Sequence, residues 1–226
     1  VARRAVRAMQ GEAAALQSLG RSGTIRSQAA ILARRTGRKV PVDVVAEAIR
    51  SATLRAPIRT APGAVVALRE LRRLGIQIAL VSNVLLEPPE AIRTLLERHR
   101  LLGLFDIVYL SAEHRDAKPS GRPLLEVLGA LRIPPHRAIH VGDHSDDVAA
   151  ALAASVPPVR YTGLRPGRIR EGRSALARIP PGVPTFAQWG RFPQRLGPLY
   201  HEALGALALA RSAARRRGGR ARYARA

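Results

Sequence analysis

Five residues in three short runs have the types and spacing to act on a phosphate. Ser82 and Asn83 stand together in the run LVSN, where a hydroxyl and an amide could donate to a phosphoryl oxygen. Lys118, in AKPSGRP, supplies a positive charge against the negative charge of a transferring group. Asp143 and Asp147, in VGDHSDD, could hold a hard divalent cation, whose preferred ligands are carboxylate oxygens and water. Together these are the parts of a phosphoryl-handling site. Neighbouring candidates are weaker. Asp146 reads better as a helix cap or first-turn charge than as a metal ligand. His140 and His144 straddle a strand end and a loop with no third ligand, which suits packing or ordinary polar roles. Gly163 and Gly167 lack the lysine followed by Ser or Thr that a phosphate loop requires.

These residues need a scaffold that brings them together, and the intervening sequence describes one. From Pro62 to Tyr161, helical and strand patterns alternate with regular punctuation. Val65, Val66, Leu68, Leu71 and Leu74 recur at helical spacing until Gly75, and Ile76 to Val81 is a β-rich run that ends at Ser82-Asn83. Pro88-Pro89-Glu90 starts the next helix, followed by strand candidates at Ile107 to Leu110, Ala138 to Val141 and Val156 to Tyr161, with helices near 121–131 and 146–154 between them. Such alternation predicts an α/β fold: a doubly wound, Rossmann-like parallel sheet whose ligands bind outside the carboxyl ends of its strands. Each candidate residue falls just after a predicted strand. The domain organisation follows: a small helical module over 1–60, the α/β core over 61–190, and a C-terminal helix with a basic tail over 191–226. In that last segment Leu196, Leu199, Tyr200, Ala203, Leu204 and Leu207 form one stripe, and the residues from Arg211 onward read as a mobile tail.

The charge distribution excludes a simpler reading. The 226 residues carry a formal net charge of +22, contributed as +9 by residues 1–60, zero by 61–159 and +13 by 160–226. All the recognisable chemistry lies in the neutral middle. Zinc ribbons, disulfide scaffolds and cysteine nucleophiles are excluded because the chain has no cysteine. An apolar content of 46% argues against a disordered polycation, and 4% aromatic residues make a poor stacking platform for single-stranded nucleic acid. The basic flanks still leave an alternative function, a non-catalytic protein that contacts nucleic acid or another polyanion through runs such as Arg215-Arg216-Arg217. No stretch reads as a membrane span or a secretory signal, so the expected compartment is the cytoplasm.

At the level of motifs, LVSN, AKPSGRP and VGDHSDD resemble the second, third and fourth motifs of the haloacid dehalogenase-like hydrolases, in order and at the right spacing. FDIVYLSAE, Phe105 to Glu113, resembles the segment before that family's lysine, and residues 1–60 correspond to the helical cap that many members carry. The resemblance implies a phosphate-contacting hydroxyl at Ser82 with Asn83 beside it. It also implies a lysine at Lys118 that steadies nucleophile and phosphoryl group, the principal magnesium ligand (Mg2+) at Asp143, and the second acid at Asp147. Members that cleave carbon–halogen bonds do not need the metal, so the presence of both acids favours phosphatase chemistry on a small phosphate ester.

One departure from the family pattern weighs as much as the match. The first motif, DxDxT or DxDxV, carries the aspartate that forms the covalent intermediate, and no DxD occurs anywhere in the 226 residues. Asp43 lies in a helical pattern and Asp106 belongs to the FDIV segment, so neither substitutes for it. In the family's topology that first strand is central, between the strand ending in Ser82 and the one ending near Val141. Its loss would leave two strands with unpaired backbone facing a gap. With Val rather than Met at position 1, the expectation is a sequence missing its upstream end and inactive as it stands, with a non-catalytic pseudoenzyme that has lost the element as the alternative.

Overall fold

The computed structural model describes residues 2–36, 41–164 and 179–223. Three helices come first: α1 (Ala2–Ser18), α2 (Ile25–Thr36) and α3 (Val42–Arg55). They pack consecutively, α1 on α2 and α2 on α3, and bury Met9, Ala13, Ala29, Ile31 and Val45.

The alternating part follows in the predicted order. It comprises α4 (Ala64–Arg73), β1 (Ala79–Ser82), α5 (Pro89–Arg98), β2 (Ile107–Leu110), α6 (Arg122–Leu131), β3 (His140–Gly142), α7 (Ser145–Ala153) and β4 (Pro158–Tyr161). A two-residue strand, β5 (Thr185–Phe186), and the long helix α8 (Phe192–Tyr223) complete the described chain. Every strand pairing is parallel. Helices cover both faces. On one, α4 and α8 bring Leu71, Phe192, Leu199 and Ala203 against Val159, Tyr161 and Phe186; on the other, α6 and α7 bring Leu124, Leu128, Ala150 and Ala151 against Val156. Two-sided burial is the setting in which parallel sheets are stable.

The sheet is not continuous. β1 pairs with β2, and β3 pairs with β4, which pairs with β5, so the strands form one sheet of two and another of three. Between β1 and β3 lies a cavity of about 650 Å3. Both strands that border it are half-buried along their whole length, whereas three of the four residues of β4 are buried. Among the described residues no strand joins the two sheets.

Two expectations need correction. The basic segment from Arg211 is helical through Tyr223 rather than a loose tail, because alanine and arginine are strong helix formers and continue the turns begun at Phe192. β5 was not foreseen: two residues leave no periodicity, and the strand exists through its ladder to β4, where Arg160 faces Thr185 and Tyr161 faces Phe186. Much of the Gly/Pro/Arg-rich stretch after Tyr161 lies outside the described residues.

Candidate functional site

The fold brings the ends of β1 and β3 and the loop after β2 to one edge. Lys118 shows this most clearly. Its ammonium donates to the carbonyl oxygen of Val81 on β1 at 2.7 Å and to Asp147 Oδ1 on α7 at 2.6 Å, so it spans the space between the two sheets. Both partners are largely buried. Burial pushes the Asp147 carboxyl up, but the Lys118 ammonium, together with the His140 ring, outweighs this and holds it well below the ordinary carboxylate range.

Asp147 is fully engaged. Its Oδ2 accepts the backbone N–H of His144 at 2.9 Å, and its Oδ1 lies 3.6 Å from His140 Nε2. A side chain on Gly142 would collide with this carboxylate, so glycine at the end of β3 is what lets Asp147 lie against the strand. His144 caps α7: its Nδ1 accepts the N–H of Asp146 at 3.2 Å, which leaves Asp146 in the first turn. Asp143 differs. Among the described residues no hydrogen bond ties up its carboxylate, while its backbone carbonyl accepts from Arg160 Nε at 3.4 Å.

Asn83 turns away from the solvent side and holds the lysine loop. Its Nδ2 donates to the carbonyl oxygen of Lys118 at 2.8 Å, and its Oδ1 accepts the Lys118 N–H at 2.9 Å. This two-way clamp engages one of the two N–H donors of the amide that the sequence suggested for phosphate. Among the described residues the Ser82 hydroxyl makes one long hydrogen bond, donating to the carbonyl oxygen of Asn83 at 3.5 Å. Behind them Ser111, fully buried at the end of β2, accepts the Val84 N–H at 2.9 Å and fixes the chain leaving β1.

The helical module closes over this edge. Gln17 and Gln28 donate to the carbonyl oxygens of Val84 and Leu85. The turn between α1 and α2 runs beside the lysine loop, with Ala117 N–H donating to Gly20 and Ser22 N–H to Arg115. Asp106 is remote from the site. It ties the start of β2 to the start of β1 through Ile78 N–H at 2.7 Å and pairs with Arg72 at 2.5 Å, at the opposite end of the strands.

The structure therefore gathers Ser82, Lys118, Asp143 and Asp147 at one edge and gives Asn83 a supporting place. Sequence reasoning missed Ser111, the two glutamines and Arg160; of these only Ser111 falls in a quoted run, FDIVYLSAE, where nothing local marks its bond to Val84. His140, expected in a packing or ordinary polar role, is buried with its Nε2 3.6 Å from Asp147 Oδ1.

Parallel strands layered between helices, with polar groups collected at the strands' carboxyl ends, define a Rossmann-type α/β protein. More narrowly, the chain belongs to the haloacid dehalogenase-like hydrolases, whose family model matches residues 2–155. It is 33% identical over 92 residues to a phosphoglycolate phosphatase of Salmonella typhi, covering 41% of this chain and 35% of that protein. It is 35% identical over 108 residues to phosphoglycolate phosphatase 1 of Pseudomonas aeruginosa, covering 47% and 39%. The matched region thus spans less than two fifths of these relatives' length. In fold it is similar to the L-2-haloacid dehalogenase of Xanthobacter autotrophicus, with a TM-score of 0.61 and 21% identity over 85% of this chain and 84% of that one.

Proposed function

We propose that this chain carries the phosphate-binding and metal-binding parts of a phosphatase acting on small phosphate esters such as phosphoglycolate, while the nucleophilic aspartate is not among its residues. The observation that carries this reading is Lys118, whose ammonium is held between Val81 on β1, the residue before Ser82, and Asp147 on α7. A buried positive charge preorganised at that edge stabilises charge on a phosphoryl group without reorganising during the reaction. Ser82 donates to a phosphoryl oxygen. Asn83 positions the lysine loop through its backbone, and Asp147 orients the ammonium.

Asp143 is the residue that would hold magnesium. Among the described residues its carboxylate accepts no hydrogen bond, whereas each oxygen of Asp147 accepts one, from Lys118 and His144, and Asp146 Oδ1 is a buried acceptor without a hydrogen-bond partner. Magnesium characteristically binds through one or two carboxylates plus water and phosphate, and this donor set fits that habit. When bound, it would neutralise charge on the phosphate oxygens. Asp147, the second acid of the run, accepts hydrogen bonds on both oxygens and orients the ammonium.

The test pairs binding with turnover. Inorganic phosphate should bind in the presence of magnesium and lose at least about ten-fold in affinity on Lys118→Ala, the cost of losing a charge-assisted hydrogen bond. Phosphate release from phosphoglycolate and other small esters should be absent. Robust turnover abolished by Asp143→Asn would show that the nucleophile does lie within these residues.

A further inference from the structure

Helix α8 outlasts the body on which it packs. Its buried apolar residues begin at Phe192 and end at Leu207, yet the helix continues to Tyr223. The part after Leu207 is roughly 24 Å long at 1.5 Å per residue. Every residue from Arg211 to Arg216 is exposed. Glu202 is the last acidic residue of the chain, and seven arginines follow it. Among the described residues Arg211, Arg215 and Arg216 pair with no carboxylate. Arg211 and Arg215, four apart, share a side of the helix, and Arg216 lies about 100° further round. The result is a projecting rod with positive charge on more than one side.

The composition of this rod selects among anionic partners. Between Ala210 and Arg222 the sequence holds only Ala, Arg, Ser and Gly. A helix lying on a membrane needs large apolar residues on one face, and this segment has none. Single strands are held by stacking on aromatic rings, and the segment reaches an aromatic residue only at Tyr223. A second copy would set arginines against arginines. The major groove of B-form DNA meets each demand. At about 12 Å wide it admits a helix of about 10–12 Å, and small residues between the arginines keep this helix slender. Phosphates line both walls, which suits arginines on more than one side. The major groove of an RNA duplex is too narrow for a helix. Like charges four apart also work against the helix itself, and phosphates relieve that repulsion.

We infer that the projecting end of α8 is a docking element for duplex DNA, seated in the major groove and held chiefly by arginine–phosphate pairs. Such binding falls steeply with salt and tightens the helix that makes it. The inference does not depend on the phosphatase reading, because Ser82, Lys118 and Asp143 lie in the neutral middle of the chain and either property can fail alone.

The experiment measures binding of the full chain to a fluorescent mixed-sequence DNA duplex two helical turns long, between about 50 and 200 mM salt. It is repeated with the triple variant Arg211→Ala, Arg215→Ala and Arg216→Ala, which keeps the helix because alanine is the strongest helix former. The expected result is a slope of log affinity against log salt that is shallower by about three in the variant, with affinity at the lowest salt reduced at least about ten-fold. Amide exchange of residues 211–216 in the unaltered chain should slow several-fold when the duplex is added. The double variant Arg4→Ala with Arg7→Ala, on the other basic flank, should leave the slope nearly unchanged. An unchanged slope in the triple variant, or no slowing of exchange, overturns the inference. Equal loss per arginine in the two variants also overturns it, showing general attraction to a polycation. Tighter binding to an RNA duplex of the same sequence, or to vesicles containing phosphatidylserine, overturns it in favour of RNA or a membrane surface.

Discussion

Lys118 and Asp147 form a buried pair in which each charge depends on the other, and this sets the behaviour of the residues around them. Removing one partner of such a pair strands the other, so Lys118→Ala should cost roughly 3–5 kcal/mol in denaturant unfolding. The double change Lys118→Met with Asp147→Leu should cost clearly less, and equal losses would show that the pair is not the source. Gly142→Ala should also destabilise, by displacing the carboxylate that lies against the glycine. His140 gives a pH dependence of known sign. Burial, more than Lys118, pushes its imidazole below its ordinary value, and Asp147 only partly offsets this. The folded protein therefore keeps the ring neutral while the unfolded chain takes up a proton below about pH 6.5, so stability falls as pH drops through that point. Asp147, held low, adds a further loss only as pH falls through the carboxylate range near about 4 and below. His140→Asn should flatten the first limb of the stability profile and leave the second; an unchanged first limb would contradict the assignment. Ser82, Lys118 and Asp143 could be found in the sequence because each closes a recognisable run. The role of Asn83 could not, because its partner is the backbone of a residue 35 positions away.

Among the elements, the strands that should be the most protected are the least. In a doubly wound sheet the middle strands are buried on both faces, yet β1 and β3 are half-buried and β4, toward one side, is the buried one. Native-state exchange of the chain alone should find the slowest amides in β4, and slower exchange in β1 and β3 would contradict the open slot. The bonds of Gln17 and Gln28 are among those that hold the helical module to the chain leaving β1. The double variant Gln17→Ala with Gln28→Ala should increase proteolysis in the 56–63 linker several-fold and leave the exchange of β4 unchanged. Element order was legible from periodicity and from the proline and glycine punctuation, and α5 carries proline in its first turn as expected. Strand starts were less legible. The apolar run beginning at Ile76 enters β1 only at Ala79, because Ile76 and Ile78 pack into the α4/α8 layer ahead of the ladder. Gln17 and Gln28 are polar residues in helices whose contacts are tertiary, and nothing local marks them.

At the level of the whole molecule, the charge of +22 and the proposed phosphate-handling site lie in different parts of the chain. The site lies in a neutral region, and the excess charge lies in the flanks, including Arg211, Arg215 and Arg216, which are exposed on the last described turns of α8. Deleting residues beyond Leu209 should remove salt-dependent binding to a polyanion such as heparin while leaving magnesium-dependent phosphate binding intact. Loss of both would join the two properties. No helix among the described residues is long and apolar enough to cross a membrane. The central claim is that the chain holds a phosphatase site complete except for its nucleophilic strand. The direct measurement is magnesium-dependent hydrolysis of a panel of small phosphate esters by the chain with an apolar strand ending in Asp-x-Asp fused ahead of α1, compared with the chain alone. The account predicts turnover only in the fused protein, reduced at least about a hundred-fold by Lys118→Ala or by changing the leading aspartate of the added strand to asparagine. Equal turnover without the added strand, or none when hydrogen exchange shows the strand seated between β1 and β3, would contradict it.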